Sequence, residues 1–316
     1  MVKRVTLPSW LDDYIYGEWG AIYEPRPDEV VLNPEQPYDF VKLYLGTYFP
    51  RSYSEAYCIV NNLLDNNLYY EKLSGKEEIY LLDVCCGTGG EIIGAVYALC
   101  SRLPNLQRIY IESYDASVDA VRFLYHITSK LNEQVSASVF ITPQQFYIDT
   151  ERDYMDLMAM TNKTYDFILC FKAINEFVQQ KIFELPYSYM AKGLLPKLSS
   201  YGVFILTDVT TPISDADRRF YPQLMNDQIN LLLKEVGGFK TMVPYPCYNY
   251  EDRCGGCYMQ DIFYVSHSKK YDDRSKIAYR VVGHSDFVRS VRVENQNYRC
   301  RVIDPNADKQ APYNRL

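Results

Sequence analysis

The chain has 316 residues, of which 47% are hydrophobic, and a formal net charge of −7. This length fits one large α/β domain with appendages or two modest domains. No apolar run is long enough for a membrane span and the first residues lack a signal-peptide core, so we expect a cytoplasmic or mitochondrial-matrix protein without membrane contact. The acidic balance argues against a protein covered in phosphate contacts, and nine cysteines, an odd number, argue against a disulfide framework.

The first forty or so residues are rich in proline and acidic residues and show no sustained periodicity, which predicts an extended arm or an irregular cap. The segment RSYSEAYCIVNNLLDNNLYYEKL follows. Ser52 and Glu55 have the spacing of a capping box, which marks the start of a helix. Ala56, Val60 and Leu63 then recur at helical spacing, so we predict an amphipathic helix packed on the next segment.

From Ile79 onward, short apolar runs alternate with helical stretches. The predicted strands cover residues 79–85, 108–115, 137–142, 165–172 and 202–209. The predicted helices cover residues 90–102, 117–132, 175–183, 187–198 and 221–236. Strands that are apolar throughout and separated by helices are typical of a parallel sheet covered on both faces. We therefore predict a doubly wound, Rossmann-like α/β domain that binds ligands at the carboxyl ends of its strands.

After Gly238 the pattern changes to short strand-like pieces, AYRVVG, VRSVRV and YRCRVI, which predict a small β-rich extension. The predicted domains are an N-terminal arm and helical cap (1–75), the α/β domain (76–240) and the extension (241–316). From Ser266 to Arg301, nine Lys or Arg residues stand against four Asp or Glu residues. This local excess of positive charge predicts either a docking surface on an acidic body or a solvated charged face.

The stretch IYLLDVCCGTGGEIIGAVYAL contains the most informative turn. Asp83 lies near the end of a predicted buried strand, and Gly87, Gly89 and Gly90 occupy the strand-to-helix turn, where glycine lets a ligand approach the backbone. The spacing is not the G-x-G-x-x-G of a dinucleotide fold, and the Gly-Lys-Ser/Thr of a P-loop is absent. These differences argue against a ligand that presents a diphosphate.

A second acidic residue ends the next predicted strand, in IYIESYDAS. An acidic residue before a glycine turn and another at the next strand end is the arrangement that S-adenosylmethionine (SAM) uses. Asp115 would accept hydrogen bonds from both ribose hydroxyls, with Glu112 as the alternative, and the turn would approach the amino-acid moiety. A tight turn without a ligand is the other interpretation. The residues predicted to bind the cofactor are Asp83, Cys85, Gly87, Thr88, Gly89, Asp115, Ala116 and Cys170.

Residues 79–209 resemble the class I SAM-dependent methyltransferases. Three segments, YLGTYFPRSYSEAYCIVNNLL, YDFILCFKAINEF and VFILTDVTTP, resemble more closely a family of methyltransferases of the small ribosomal subunit in bacteria and mitochondria. Asn175, Glu176 and Phe177 stand where that family has Asn-Glu-Leu. The segment Thr210–Pro212 stands where it has Gly-Thr-Pro, and the glycine is absent.

The resemblance implies a SAM-dependent methyltransferase that acts on RNA of the small ribosomal subunit, with the basic C-terminal segment as its docking surface. Two alternatives remain open. One is an enzyme of the same fold that methylates a small molecule or a protein. The other is a non-catalytic ribosome assembly factor that retains the cofactor pocket. The identity of the methyl acceptor is not predicted.

The fourth predicted strand is where an acceptor would meet the cofactor. It lacks the Asp/Asn-Pro-Pro-Tyr/Phe signature of amino-methylating enzymes, which counts against adenine amino groups and glutamine amides as targets. Asn175 and Glu176 are the candidate catalytic residues, as groups that orient the acceptor, although they suit helix capping equally well. Cys170 is a candidate nucleophile, but a buried packing thiol fits its apolar run better.

Cys247, Cys254 and Cys257 form a C-x6-C-x2-C pattern, and Cys300 is a potential fourth ligand. Four thiolates can hold zinc or a [4Fe-4S] cluster, so we predict one metal centre in the extension. The ribosomal family also carries a cysteine cluster after its catalytic domain, and in some members it binds an iron-sulfur cluster. The alternative is a set of thiols that share no metal.

Overall fold

The computed structural model describes residues 2–24, 38–245, 247–250 and 257–292. The chain divides into two compact units. The first contains residues up to Tyr147 together with Ile262–Ser275, and the second contains Ile148–Asp261 and the residues from Lys276 onward.

The strands are β1 Arg4–Thr6, β2 Glu78–Val84, β3 Arg108–Asp115, β4 Ser138–Gln145, β5 Tyr165–Phe171, β6 Leu198–Val209, β7 Phe239–Val243, β8 Asp261–His267 and β9 Lys270–His284. The α-helices are α1 Ser9–Asp12, α2 Tyr38–Thr47, α3 Phe49–Leu64, α4 Asn67–Leu73, α5 Gly90–Arg102, α6 Val118–Asn132, α7 Glu151–Met160, α8 Ile174–Gln180, α9 Pro186–Leu194, α10 Tyr221–Val236, α11 Cys247–Tyr250 and α12 Ser285–Ser290. A π-helical turn, Asp13–Glu18, follows α1, and a 3₁₀ turn, Leu195–Lys197, follows α9.

In the first unit, β2, β3 and β4 are parallel neighbours in that order, with Ile79 opposite Ile109 and Ile109 opposite Val139. β1 pairs in parallel with β8. In the second unit, β5 and β6 are parallel, β6 is antiparallel to β9, and β7 is antiparallel to β9. The prediction of a doubly wound α/β fold with mostly parallel strands, preceded by helices and followed by extra C-terminal strands, is confirmed.

The predicted elements of the α/β part lie close to the observed ones, and the predicted bounds of β3, α5 and α10 match the structure. These segments have clear periodicity because their apolar residues face one core. The domain limits at 75 and 240 remain predictions.

The capping-box interpretation of Ser52 and Glu55 is wrong. Helix α3 begins at Phe49, with Pro50 in its first turn, and the Ser52 amide donates to the Tyr48 carbonyl as an interior helical residue does. Proline suits the first turn because it lacks the N–H that would go unpaired there. Ala56, Val60, Leu63 and Leu64 are buried as predicted, but the helix exposes no polar face, since Ser54, Glu55 and Asn61 on its other faces are buried as well.

Three further segments differ from expectation. Residues 4–18, predicted as an irregular arm, contain β1, α1 and the π-helical turn. The first half of the strand-like piece VRSVRV, residues 288–290, lies in helix α12, and Phe287, Val288 and Val291 are buried at helical spacing there. Helix α7 was not predicted, although Thr150 and Asp153 form a true capping box at its start.

The thiols of Cys86 and Cys100 form no disulfide. Among the described helices, none combines the length and the apolar character that a membrane crossing requires.

Helices α3 and α5 pack closely because small residues lie where they meet. A Cβ atom on Gly94 in α5 would overlap the backbone carbonyl oxygen of Tyr53 in α3. Both helices are almost wholly buried along this contact. This packing sets the position of the α5 N-terminus and thus of the glycine turn before it.

We expect Gly94→Ala to lower the free energy of unfolding by roughly 1–3 kcal/mol, because the new methyl group overpacks a contact made by backbone. This loss should appear even though alanine favours an isolated helix by about 1 kcal/mol. Urea unfolding measures it. Gly75→Ala is the matched control, since nothing lies within 4 Å of its added Cβ. Equal stability of the two variants would contradict the proposed close packing.

Candidate functional site

The turn between β2 and α5 has an alternating backbone conformation. Cys85, Gly87 and Gly89 have φ values of 64°, 48° and 77°, in the left-handed region. Glycine adopts this region freely, whereas a residue with a side chain pays of order 1–3 kcal/mol. Cys85 is therefore strained, because it is the first of three residues, each two apart in the chain, that have a left-handed backbone, and the only one of the three with a side chain.

Gly90 plays a different part from the one its sequence position suggests. It is the first residue of α5 and has no left-handed conformation. A Cβ atom there would overlap the carbonyl oxygen of Phe49 in α3. The turn glycines are thus Gly87 and Gly89, and Gly90 serves the packing of α5 on α3.

Asp115, the last residue of β3, holds the turn through hydrogen bonds from two backbone N–H groups. Its Oδ2 accepts the Gly87 N–H at 2.7 Å, and its Oδ1 accepts the Ser117 N–H at 2.9 Å. Ser117 in turn caps α6 by accepting the Ala120 N–H. The carboxyl ends of β2 and β3 are therefore joined by one side chain, and Asp115 holds a fixed orientation.

The alternative residue, Glu112, lies opposite Leu82 in the interior of the strand pair. It is three residues before the strand end, whereas Asp115 contacts the turn directly. Ala116, also predicted to contact the cofactor, has its carbonyl engaged by the Gln145 side-chain amide at 3.0 Å. The register thus places Asp115, and not Glu112, at the turn. Its contact with a ligand stays a prediction.

The Tyr44 ring of α2 lies against the backbone of the turn at Gly87. An added Cβ on Gly87 would lie 3.3 Å from Tyr44 Cε1 and 3.4 Å from the Tyr44 hydroxyl oxygen. The sequence offered no signal for this contact because Tyr44 precedes the turn by more than forty residues. The glycine at 87 is needed for both its φ and its close approach to an aromatic ring.

Asp83 is fully buried behind the turn. Both of its carboxyl oxygens lack a hydrogen-bond partner among the described residues. Thr88 is also buried, with a hydroxyl that has no partner in the same part of the chain. Because a buried, unpaired carboxyl group is costly, these atoms favour a ligand that brings donors to them.

Glu91, in the first turn of α5, is a second buried acid near Asp83. Burial raises the pKa of Asp83 well above its usual range, and the charges of Glu91 and Asp115 raise it further. Burial also raises the pKa of Asp115, opposed by the two backbone N–H donors. Three neighbouring acids make this part of the first unit attractive to a cation and repulsive to an anion.

The second unit has a polar cluster of its own around Asp208 of β6. Asp208 is fully buried, and its Oδ2 accepts the Tyr187 hydroxyl at 2.6 Å and the Asn175 backbone N–H at 3.0 Å. The Asn175 side-chain NH₂, oriented to satisfy both neighbours, donates to Asp208 Oδ1 and to the Lys172 carbonyl, each at 2.9 Å. Asp208 thus fixes the start of α8.

Burial raises the pKa of Asp208 to about 7, although the Tyr187 hydroxyl and two backbone amides act in the opposite direction. Burial likewise raises the pKa of Tyr187, reinforced by the charge of Asp208. Sequence reasoning missed both residues. An aspartate inside the apolar run VFILTDV was the available signal for Asp208.

The remaining predicted residues of this unit are Cys170, Asn175 and Glu176. Cys170 is wholly buried in β5, a strand in which every residue is buried. Asn175 and Glu176 are partly buried in the first turn of α8, whose N-cap residue is Ala173. Their catalytic and cofactor-binding roles remain predictions.

Only part of the predicted metal site can be described. Cys247, at the start of α11, and Cys257 are buried, whereas Cys254 and Cys300 lie outside the described residues. Within the described ranges, no group of three or more His, Cys, Asp or Glu side chains could hold a metal ion. The zinc or iron-sulfur centre therefore stays a prediction.

No family model matches this chain, and no curated protein matches its sequence. Several solved methyltransferases are similar in structure. They include magnesium protoporphyrin IX methyltransferase from Synechocystis with bound SAM, at 12% identity and a TM-score of 0.41 over 87% of this chain and 95% of that chain. Precorrin-6y C5,15-methyltransferase from Geobacter metallireducens is similar at 12% identity and a TM-score of 0.36 over 69% and 85% of the two chains.

A SAM-dependent methyltransferase from Aquifex aeolicus is similar at 14% identity and a TM-score of 0.34, over 69% of this chain and 90% of that chain. With identities and TM-scores this low, these likenesses assign neither a function nor a substrate to the chain.

The strain at Cys85 leads to a first expectation for the site. Cys85→Gly should keep or raise the free energy of unfolding, by up to about 1 kcal/mol, because glycine adopts the left-handed region without cost. Cys86→Gly is the matched comparison. Cys86 is buried and has no left-handed conformation, so its loss should cost roughly 1–2 kcal/mol. A larger loss for Cys85→Gly than for Cys86→Gly in urea unfolding would contradict the strained turn.

The raised pKa of Asp208 predicts how stability depends on pH. An acid whose folded pKa of about 7 exceeds its unfolded value of 3.8 stabilises the fold below the unfolded value, and this contribution is lost as pH rises through the folded value. Asp208→Asn removes that titration. The unfolding free energy of the wild type minus that of the variant should therefore fall between about pH 4 and pH 7 and then level off. Unfolding curves that stay parallel across this range would rule the assignment out.

Proposed function

We propose that this chain is a SAM-dependent methyltransferase whose first unit binds the cofactor. The observation that carries the proposal is Asp83, a fully buried carboxyl group whose two oxygens have no partner among the described residues. It lies behind a turn that Asp115 holds through the Gly87 amide. A cationic amino group on a ligand would supply the donors that Asp83 lacks.

The charge of the site favours SAM, an adenosine derivative without phosphate, over nucleotide cofactors. SAM carries an ammonium group and a sulfonium, whereas dinucleotides and ATP carry anionic phosphates. Burial raises the pKa of Asp83, and the charges of Glu91 and Asp115 raise it further; a bound cation would favour the ionised carboxylate, whereas a phosphate would disfavour it. Phosphates next to these acids would be repelled, and no cation among the residues described at the turn offsets the repulsion.

Asp115 fits the ribose role. A carboxylate offers about four lone-pair sites, and the bonds from Gly87 and Ser117 use two of them. The remaining sites suit a pair of hydroxyl donors. Because two backbone amides fix the carboxylate, it would accept these donors without losing further side-chain entropy.

When bound, SAM supplies a methyl group attached to a sulfonium. Such a transfer needs alignment of the acceptor and removal of its proton if it carries one. Asn175 and Glu176 are our candidates for orienting the acceptor, and Asp208 would hold Asn175 through its backbone and side chain. Lys172, with a left-handed φ of 55°, supplies a cation beside them.

For the acceptor we propose RNA, most specifically RNA of the small ribosomal subunit. The support is the resemblance of three sequence segments to that family and the excess of Lys and Arg between Ser266 and Arg301. Phosphate contacts with these side chains would make binding depend on salt, which binding of a small neutral substrate would not.

Gly87→Val tests the cofactor assignment. A β-branched residue cannot adopt a φ of 48° without strain, and its Cβ would press on Tyr44. We expect calorimetry to show SAM binding by the wild type and at least about tenfold weaker binding by the variant, since a loss of 1.4 kcal/mol already gives that factor.

Gly75→Val is the control, because an added Cβ there meets nothing within 4 Å. It should bind SAM like the wild type. Circular dichroism checks that Gly87→Val remains folded. A folded Gly87→Val protein with unchanged SAM affinity would exclude the turn as the cofactor site.

A further inference from the structure

In the first unit, β8 pairs with the first part of β9, residues 270–275, as a hairpin with Ser268 and Lys269 in its turn, and β1 pairs with β8. One side of this ribbon carries Arg4 opposite Tyr264, with the Arg4 guanidinium 5.0 Å from the Tyr264 ring centre. Arg4 pairs with Asp272, and Arg274, two residues further along β9, lies on the same side.

The hairpin turn adds Lys269, Lys270 and Tyr271, all exposed. Tyr271 is 77% exposed, the highest value among the large hydrophobic side chains of the described residues. We use the name hairpin surface for Arg4, Tyr264, Lys269, Lys270, Tyr271 and Arg274. It combines cations with aromatic rings, which is typical of surfaces that bind single-stranded nucleic acid.

The charge of the hairpin surface is opposite to that of the whole chain. Its four cations have two carboxylates nearby, Asp272 on Arg4 and Asp12, which accepts the Ser268 N–H at 3.0 Å. Lys270 and Arg274 form no ion pair with any other residue in the described part of the chain. The hairpin surface therefore has a net positive charge, although the formal net charge of the chain is −7.

A third carboxylate, Asp273, does not offset this charge because it faces inward. It accepts two hydrogen bonds from Arg51, at 2.8 Å and 3.0 Å, and lies 3.8 Å from His267 Nε2. Burial acts to raise the pKa of Asp273, but His267 and Arg51 outweigh it and lower that pKa to about 2. This buried pair also anchors the ribbon to α3, so the exposed side keeps a fixed shape.

We infer that the hairpin surface binds single-stranded RNA, with Lys270 and Arg274 contacting phosphates and Tyr271 stacking on an unpaired base. Stacking needs a free ring face, and an unpaired base supplies one where a duplex does not. The inference rests on the proposed function, since it gives the RNA acceptor a place to dock.

The test uses the full chain and a fluorescent oligouridylate of about 12 nucleotides, a length within the usual site sizes. Fluorescence anisotropy gives the affinity between about 50 and 200 mM salt. Lys270→Gln combined with Arg274→Gln should reduce the slope of log affinity against log salt by about 1.4, since each contact to a single strand contributes about 0.7. Tyr271→Ala should weaken binding by about 5- to 100-fold and leave the slope unchanged.

Two controls sharpen the result. Tyr271→Phe keeps the ring and should bind like the wild type. Arg152→Gln combined with Lys234→Gln removes the same charge from exposed positions of the second unit and should leave the slope unchanged.

The surface assignment is overturned if the control pair lowers the slope as much as the hairpin pair, or if Tyr271→Ala binds like the wild type. Binding to vesicles of phosphatidylserine that depends on the same residues, without RNA binding, would identify an anionic membrane instead.

A parallel SAM titration distinguishes failure of the docking surface from failure of the proposed function. Normal SAM binding with failed RNA tests removes only the docking surface, whereas absent SAM binding removes the proposed function.

Discussion

The hydrogen bond from the Gly87 amide to Asp115 is the constraint on which the candidate site depends. It joins the carboxyl ends of two parallel strands at 2.7 Å and holds the backbone between them in an alternating left-handed path. Asp83, in contrast, is fully buried, and neither of its carboxyl oxygens has a donor among the described residues. One acid thus shapes the turn, and the other remains available to a ligand.

This arrangement costs stability, and the surrounding packing offsets the cost. Cys85 adopts a conformation that suits glycine, and Asp83 is buried beside Glu91. The close contact of α5 with α3 holds the helix that follows the turn. Strained backbone and unpaired polar atoms that persist inside a well-packed region are typical of binding sites, where a ligand completes the interactions.

The sequence predicted what depends on local periodicity and on turn chemistry. The apolar runs of β2 and β3 and the glycines between β2 and α5 located the turn, and the acid at the end of β3 located Asp115. Contacts between residues far apart in the chain gave no such signal. Tyr44 over Gly87 and Tyr187 on Asp208 depend on tertiary packing, and β1 finds its partner β8 about 260 residues away. Helix α12 shows the opposite error, since Val288 within it and Val291 just after it favour a strand locally but are buried at helical spacing.

Hydrogen–deuterium exchange with and without ligand shows directly whether the turn held by Asp115 binds a cationic cofactor that carries no phosphate. We expect SAM to slow exchange of the amides in residues 83–91 and 115–117, and ATP and NAD⁺ to leave it unchanged, because their phosphates would meet buried acids. Protection of these segments by ATP or NAD⁺, or no protection by SAM at a saturating concentration, would contradict this expectation.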